Sequence, residues 1–142
     1  MNAGRQKWFW IIAAIAIPLL LLLNPNLWDL SNKSVRYNLE AIGSSIYEFH
    51  NSTGEWPQGA NDLARTSLPL KVHHWRYLIQ AGNVVVIWNR DLLPDPRNNA
   101  NRVLVYHNQG LLAAFGHKWV CWGDLRTEYA SNAKIRSAIA QQ

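Results

Sequence analysis

The chain has 142 residues, with 14 Lys and Arg against 9 Asp and Glu. This length suits one domain with one appended segment, and it excludes a multidomain enzyme. Hydrophobic residues make up 49% of the chain although its mean hydropathy is only -0.18, so the apolar residues are concentrated in one segment. Eight Trp and a charged fraction of 16% are not typical of a disordered chain, and we expect a folded protein.

The apolar residues are concentrated near the N-terminus, where residues 8–23 carry no charge. As a helix, residues 8–28 would extend about 31 Å, close to the roughly 30 Å hydrocarbon core of a bilayer. Trp8, Trp10 and Trp28 fall at its two ends, where aromatic rings favour the headgroup level. Pro18 is tolerated inside a membrane helix. We therefore predict a transmembrane anchor in residues 1–30 and a separate domain in residues 31–142.

A cleaved secretory signal peptide is the alternative interpretation of this segment, with Arg5 and Lys7 as its basic region. The sequence after Leu23 has no small-x-small cleavage pattern, and the single cysteine, Cys121, is too far along the chain for a lipoprotein site. We predict an uncleaved, single-pass anchor in the cytoplasmic membrane. The distribution of basic residues favours an N-terminus inside the cytoplasm and a C-terminal domain outside it.

The charges beyond residue 30 argue against nucleic acid as a partner. They comprise 12 Lys and Arg and 8 Asp and Glu, scattered singly along the chain. A surface that follows a phosphate backbone needs clustered basic residues, so we predict no nucleic-acid binding. One cysteine cannot form an intramolecular disulfide, which is compatible with any compartment.

An amphipathic helix is predicted at about residues 33–50, with Ser31 or Asn32 as its N-cap. Apolar residues recur at helical spacing of four, three, four and three, and residues 51–54 provide the stop. The two helical segments are expected to form one rod that is interrupted at residues 24–26. The predicted packing stripe consists of Val35, Leu39, Ile42, Ile46 and Phe49.

Short elements follow this helix. Asn61 or Asp62 is expected to start a helical turn that ends at Arg65. Two runs rich in aromatic and β-branched residues, at 74–80 and 84–89, predict a hairpin around the Gly-containing segment 81–83.

The remaining chain is predicted to be mainly β-structure. Residues 91–101 contain two Pro and three Asn and are expected to form a loop, and residues 102–107 form a third strand. A second hairpin joins residues 118–122 to residues 125–129 through Gly123 and Asp124. Ser131 then caps a C-terminal helix that ends at Ala140 and offers Ala133, Ile135, Ala138 and Ile139 for packing.

The predicted fold is therefore α+β. The amphipathic helix lies over an antiparallel sheet at about residues 71–129, because its apolar stripe needs a sheet face to cover it. Four tryptophans on the predicted strands are expected to contribute to the core beneath this helix, namely Trp75, Trp88, Trp119 and Trp122. Trp56, beside Pro57, is expected to pack a loop.

The order of a membrane helix, an amphipathic helix and an antiparallel meander, with a Tyr-, His-, Gly- and Pro-containing stretch at residues 47–57, resembles the type IV pilin-like fold. The similarity is to pseudopilin-like proteins of the planctomycete type in type II secretion. Residues 62–63 resemble a Leu-containing short helix of that family. Residues 103–107 and 117–124 resemble its C-terminal strand pair, although the family's Asp-Gly turn is Gly-Asp here.

The resemblance departs from the family at the prepilin peptidase site. If Gly4 is taken as the glycine of the cleavage site, Arg5 becomes the first mature residue and Phe9 the fifth. The family has Phe at the first of these positions and Glu at the fifth. Neither residue matches, so the resemblance does not imply processing or polymerisation.

Candidate catalytic groups are sparse in this sequence. His73 and His74 are adjacent and would point to opposite faces of a strand, which makes them a poor chelate. The other three histidines, at positions 50, 107 and 117, have no ligand partner at metal spacing. Cys121 lies in an apolar strand with no group that would activate it, and we expect it to be a small buried residue. No P-loop, GxSxG or HExxH motif occurs, so we predict a non-enzymatic protein.

Calcium is the only cofactor for which the sequence offers candidate ligands. Asp91 and Asp95 lie in a segment that is also rich in Asn, and carboxylate and amide oxygens suit Ca²⁺. Their spacing does not follow the pattern of a dedicated calcium loop, and Asn- and Asp-rich segments commonly form turns. The calcium site is therefore a hypothesis, and no cofactor is otherwise expected.

Two functions are consistent with these features. The resemblance implies a membrane-anchored, pseudopilin-like component of a secretion or surface-assembly apparatus. Such a component would bind the membrane and envelope or secretion-system proteins, and could associate with itself. The alternative is a membrane-tethered extracytoplasmic binding module that only borrows the fold.

Overall fold

The computed structural model describes residues 25–66, 72–88, 91–109 and 116–142, and for residues 25–32 and 72–74 it describes the backbone alone. The chain divides into two units, with the boundary between Ser34 and Val35. In the first unit the described residues, 25–34, are helical. The second unit is an α+β structure with a four-stranded antiparallel sheet.

Helix α1, Pro25–Thr53, is longer than predicted at both ends. Proline suits the first turn of a helix because its missing N–H would be unpaired there in any case, and Pro25 is the first residue of α1. The predicted interruption of the rod at residues 24–26 depends on residues before Pro25, which lie outside the described ranges. Ser31 and Asn32, the predicted caps, lie inside α1. The helix ends where Gly54 adopts a positive φ of 77° and donates its backbone N–H to the His50 carbonyl at 2.8 Å.

The short helix α2, Ala60–Leu63, confirms the predicted helical turn in this region. Its last residue, Leu63, is buried in the core. The Asp62 carboxylate accepts a hydrogen bond from the backbone N–H of Gln58 at 2.8 Å. This bond holds the segment that follows α1 against the start of α2.

Residues 72–80 form helix α3, Val72–Gln80, and the predicted strand at 74–80 is wrong. In a strand, Trp75 and Tyr77 would share one face. In the structure Trp75 is 3% exposed and Tyr77 is 63% exposed, which fits helical spacing. Leu78 and Ile79, three and four residues after Trp75, pack with it against the core.

The predicted hairpin loop at residues 81–83 is instead the C-terminal cap of α3. Gly82 has a φ of 71° and its N–H bonds to the Ile79 carbonyl, while the Asn83 N–H bonds to the Leu78 carbonyl at 2.9 Å. These two bonds define a Schellman motif, which satisfies carbonyl groups that the end of a helix leaves free. Gly82 therefore ends a helix and does not form the turn of a hairpin.

The sheet is a meander in which each strand pairs with its neighbours in sequence, in the order β1-β2-β3-β4. The strands are β1 Val84–Val86, β2 Val103–His107, β3 His117–Trp122 and β4 Thr127–Ser131. The third predicted strand and the second predicted hairpin are confirmed. The sheet begins at Val84 and not near residue 71, because the preceding segment is α3.

Helix α4, Asn132–Ala140, confirms the predicted C-terminal helix and its cap. The Ser131 hydroxyl accepts a hydrogen bond from the Lys134 N–H at 3.2 Å. Ile135 is buried, and Ala138 and Ile139 pack partly against the core, whereas Ala133 is exposed. Three of the four predicted packing residues therefore contact the core.

Helix α1 covers one face of the sheet, which we call the α1 face. Leu39, Ile42, Ile46 and Phe49 of the predicted stripe are buried, and Val35 packs partly against the same core. A Cβ at Gly43 would lie 2.9 Å from the Cys121 sulfur, so glycine lets the helix approach the sheet closely. The core residues contributed by the strands on this face include Val84, Val86, Val105 and Cys121.

Helix α4 covers the opposite face, the α4 face, with a smaller apolar cluster. Its buried residues are Val103, Val120, Trp122, Ala130 and Ile135. Strand β2 contributes to both faces and has a bulge between the two contributions: Val103 pairs with Trp122 on the α4 face, whereas Val105 pairs with Cys121 on the α1 face. Leu104 is the extra residue, and all three are fully buried.

The tryptophans divide between these environments. Trp75 and Trp122 are buried, as expected, although Trp75 lies on a helix. Trp88 and Trp119 are only partly buried. Trp56 packs beside α1, where its ring stacks on His50 with centroids 3.8 Å apart.

Candidate functional site

Asn99 is a buried polar residue that joins three parts of the α1 face. It lies in a short 3-10 helix, Pro96–Asn99, within the loop predicted at residues 91–101. Its amide nitrogen donates to the Tyr47 hydroxyl at 2.9 Å and to the Leu93 carbonyl at 2.8 Å, and its amide oxygen accepts from the Leu93 N–H at 3.0 Å. Buried amides need such partners, so Asn99 fixes the loop on the core.

Tyr47 carries this network from α1 to the turn between β3 and β4. Its hydroxyl donates to the Gly123 carbonyl at 2.6 Å and accepts the bond from Asn99. Burial raises the pKa of Tyr47 to about 12, so the phenol stays protonated at neutral pH. A protonated hydroxyl with both partners in place is suited to holding the fold together.

Gly123 is the third part of this network, and its lack of a side chain is required. A Cβ at this position would lie 2.4 Å from both Cβ and the carbonyl oxygen of Asn99. The Gly123 N–H also donates to the Arg102 carbonyl at 2.7 Å. The sequence identifies Gly123 only as a turn residue and does not indicate Asn99 and Tyr47 as its partners, because residues this far apart in sequence leave no local pattern.

Cys121 is fully buried on the α1 face, as predicted. Burial raises the pKa of its thiol to about 12. Because the thiolate is the nucleophilic form, Cys121 is unreactive at neutral pH. It acts as a small apolar residue against Gly43.

The two calcium candidates have different environments. The Asp95 carboxylate accepts from the backbone N–H of Arg97 at 3.0 Å and pairs with the Arg97 guanidinium at 2.8 Å, and this arginine lowers the pKa of Asp95. Asp91 is exposed, and it also takes part in an interaction with another residue. Across the part of the chain that the structure describes, no three His, Cys, Asp or Glu side chains are placed to hold a metal ion.

The histidines are dispersed over the structure. His50 stacks on Trp56, and His117 stacks on Tyr129 with centroids 5.4 Å apart. Burial lowers the pKa of His107. His73 and His74 lie on α3, where their side chains are not described.

Aromatic residues form an exposed surface beside α1, on β3 and β4. Trp119 and Tyr129 are paired across these strands with ring centroids 5.7 Å apart, and His117 stacks on Tyr129. The Arg36 guanidinium of α1 lies 5.7 Å from the centre of the Trp119 ring. We call Arg36, His117, Trp119 and Tyr129 the aromatic surface. Trp119, predicted to lie in the core, is only partly buried against it, and Tyr129 beside it is 39% exposed.

The outward side of α1 next to this surface is polar apart from one tyrosine. Tyr37 is 66% exposed, and Arg36 and Glu40 form an ion pair one helical turn apart at 3.8 Å. Exposed tyrosine and arginine are common at protein interfaces, because they combine apolar area with hydrogen-bonding groups. Of the α1 side chains that the structure describes, those of residues 33, 34, 36, 37 and 51–53 are exposed.

The predicted membrane residues Trp8, Trp10 and Pro18 lie outside the described residues, and Trp28 is described only as part of the α1 backbone. None of the helices in the described ranges is long and apolar enough to cross a membrane. Comparison of the chain with protein families, with characterised proteins and with solved structures finds no match.

Proposed function

We propose that this protein is a membrane-anchored, non-enzymatic, pseudopilin-like component of a secretion or surface-assembly apparatus. The observation that carries the proposal is the position of α1 in the chain. Its first residue, Pro25, directly follows the uncharged apolar segment at residues 8–23 and Asn24, and its later half packs on the sheet. A membrane segment followed by such a helix is the arrangement of a pilin-like subunit.

The order of the later elements supports the same proposal. A long helix, two short helices and an antiparallel meander follow one another. Residues 47–57 comprise the last part of α1 and the turn that follows it. The absence of a matching peptidase site near Gly4 is a departure from prepilins, and we propose that the anchor is retained without cleavage. In this arrangement the domain formed by residues 31–142 lies outside the cytoplasm.

The outward side of α1 would be the surface that meets envelope proteins or a second copy of the chain. Tyr37 supplies exposed apolar area, while Arg36 and Glu40 supply polar contacts around it. This use of α1 requires a membrane segment that takes part in packing and does not only tether the body. That requirement separates an assembly subunit from a simple tethered domain.

The test is to replace residues 8–28 with an unrelated membrane helix of equal length. If the anchor packs beside neighbouring subunits, the replaced chain should no longer co-purify with its envelope partners, because a foreign helix presents different side chains in the bilayer. Extraction with alkaline carbonate must show that the replaced chain is still membrane-embedded. Retained co-purification and retained phenotype would contradict an assembly role.

A membrane-tethered binding module is the second candidate, and the aromatic surface is the observation that favours it. Exposed aromatic rings can stack on planar or sugar-like ligands, and Trp119 and Tyr129 provide two adjacent rings. This module would need the anchor only as a tether. Ligand binding that is retained after the helix replacement but lost in the Tyr129→Ala variant would support the binding module.

A further inference from the structure

The last three residues of α1, Asn51, Ser52 and Thr53, match the acceptor sequence for N-linked glycans. This sequence is an asparagine followed two positions later by serine or threonine, with any residue except proline between them. It occurs once in residues 35–142, and a second one, at residues 32–34, begins at Asn32, which is described by its backbone alone. Because so short a sequence also occurs by chance, its surroundings in the fold decide whether it can carry a glycan.

The end of α1 is exposed where the rest of this helix is covered. Every side chain of residues 38–50 is buried or half-buried, whereas those of Asn51, Ser52 and Thr53 are all exposed. A glycan is bulky and hydrophilic, so its asparagine has to lie where the sugar can extend into solvent. Asn51 meets this condition without displacing any part of the core.

The hydrogen bonds that close this helix end do not use the Asn51 side chain. The hydroxyls of Ser52 and Thr53 donate to the Phe49 carbonyl at 2.9 and 2.8 Å, and the Gly54 N–H donates to the His50 carbonyl. Within the described ranges, none of these bonds involves the Asn51 amide. Attachment of a sugar to this amide therefore removes no hydrogen bond that holds the end of α1.

The helix also indicates when such a modification takes place. Residues two positions apart in a helix lie about 200° apart around its axis, so the Thr53 hydroxyl and the Asn51 amide point to different sides in the folded protein. A transferase that recognises both groups together needs the extended chain. Modification of Asn51 would therefore precede the completion of α1.

We propose that Asn51 is an N-glycosylation site, modified as the chain emerges from the membrane. The Asn51 amide nitrogen forms a bond to C1 of the first sugar of a lipid-linked oligosaccharide, and the bond between C1 and the lipid diphosphate breaks. The lipid diphosphate leaves with the bonding electron pair, and the proton lost by the nitrogen goes to a basic group of the transferase. The product is a substituted amide that stays neutral.

This inference rests on the proposed function in one respect, the position of residues 31–142 outside the cytoplasm. The lipid-linked donor is used on that side of the membrane. Asn51 lies 14 residues after Tyr37, about 21 Å along α1, so a glycan there leaves the contact surface around Tyr37 open.

The test is mass spectrometry of the full chain, purified from the membranes of the cells that produce it. We expect peptides that contain residue 51 to carry a glycan. Treatment with a peptide N-glycosidase should release it and convert Asn51 to aspartate, which marks the site.

Substitutions at the acceptor sequence separate modification from chance occurrence. Asn51→Gln and Thr53→Ala should each abolish the glycan at this position, whereas Thr53→Ser should retain it, because either hydroxyl residue completes the sequence. Asn101→Gln is the matched control, since Asn101 is exposed but is not followed by serine or threonine two positions later. It should leave the glycan unchanged, and thermal unfolding of each variant should confirm that it is folded.

The topology of the same preparation is read from digestion by a protease added outside the cytoplasmic membrane. An unmodified Asn51 in a chain whose C-terminal domain is digested would overturn this inference alone. An unmodified Asn51 in a chain whose domain is protected would contradict both the inference and the proposed topology. A glycan retained at Asn51 in Thr53→Ala would also overturn the inference, because the modification would not follow the acceptor sequence.

Discussion

The two faces of the sheet are held by different kinds of interaction. The α1 face combines a large apolar core with a buried hydrogen-bond network, and glycines at positions 43 and 123 allow close contacts there. On the α4 face a smaller cluster surrounds Trp122, whose ring is covered by Lys134 at 5.0 Å and Arg126 at 5.9 Å. The first face should be sensitive to changes of shape, and the second to changes of charge.

The largest effect is expected from Gly123→Ala on the α1 face. Its new Cβ would lie 2.4 Å from the Asn99 carbonyl oxygen, and a backbone atom cannot rotate away as the end of a flexible side chain can. We expect a loss of about 3 kcal/mol or more in the free energy of unfolding. Urea denaturation monitored by tryptophan fluorescence measures it.

Gly59→Ala is the control for this substitution. A Cβ at Gly59 would meet no atom within 4 Å, and its φ of -173° is an extended conformation that alanine adopts readily. Its effect should stay within about 0.5 kcal/mol. If both glycine substitutions cost the same, shape does not dominate the stability of the α1 face.

Tyr47→Phe should have an intermediate effect that depends on pH. Loss of the hydroxyl leaves the Gly123 carbonyl and the Asn99 amide with one partner fewer, at a cost of about 1–3 kcal/mol at pH 7. Because the folded-state pKa of Tyr47 is raised from 10.0 to about 12, the unmodified protein loses stability as pH rises through this window. Phenylalanine does not titrate, so the deficit should shrink by about 1.4 kcal/mol per pH unit above pH 10.

Tyr77→Phe provides the comparison, since Tyr77 is 63% exposed on α3. It should cost less than about 0.5 kcal/mol at pH 7. The measurement is the free energy of unfolding of the unmodified protein and of both tyrosine variants from pH 7 to pH 11. A Tyr47→Phe deficit that stays constant across this range would mean that the phenol is not what titrates.

The smallest effect is expected on the α4 face, from Lys134→Met. The Lys134 ammonium lies 2.6 Å from the Glu128 carboxylate and over the Trp122 ring, and its loss should cost about 1 kcal/mol or less. Lys134 lowers the pKa of Glu128, so the pair stabilises the fold above the usual carboxyl pKa and loses this contribution as pH falls through the lowered value. The cost of the substitution should therefore decrease at acidic pH and at high salt.

Lys118→Met is a matched control for the acid dependence. Lys118 also lies 5.0 Å from an aromatic ring, that of Tyr106, but its ammonium contacts the Asn108 amide oxygen at 2.6 Å instead of a carboxylate. Its cost should not change between pH 7 and pH 3. Parallel pH profiles for the two lysine variants would argue against a role for Glu128.

The contrast between the faces also explains what the sequence could predict. The stripe of α1 and the strands of the second hairpin were readable, because each repeats at the period of its own element. From composition, residues 74–80 predict a strand, because Trp75, Tyr77 and Ile79 are residue types that are common in strands. The burial of Trp75 with Leu78 and Ile79 follows helical spacing instead, and tertiary packing decided between the two.

The polar network was not predictable in the same way. Asn99 sits in a segment whose composition indicates only turns, and its partner Tyr47 is 52 residues away. Local periodicity carries no information about such pairs, so these features required the three-dimensional structure.

The bulge at Leu104 shifts the alternation of β2 side chains between the two faces by one residue. Before it, Val103 points with Trp122, and after it Val105 points with Cys121, so the apolar pattern of this strand is offset by one residue at its middle. Trp122 and Cys121 are consecutive in β3, so deleting Leu104 would make Val103 and Val105 consecutive opposite them and would leave both side chains on their present faces. The bulge therefore lets β2 place one more apolar side chain in the core of the α1 face than plain alternation would, and the fully buried Leu104 is that residue.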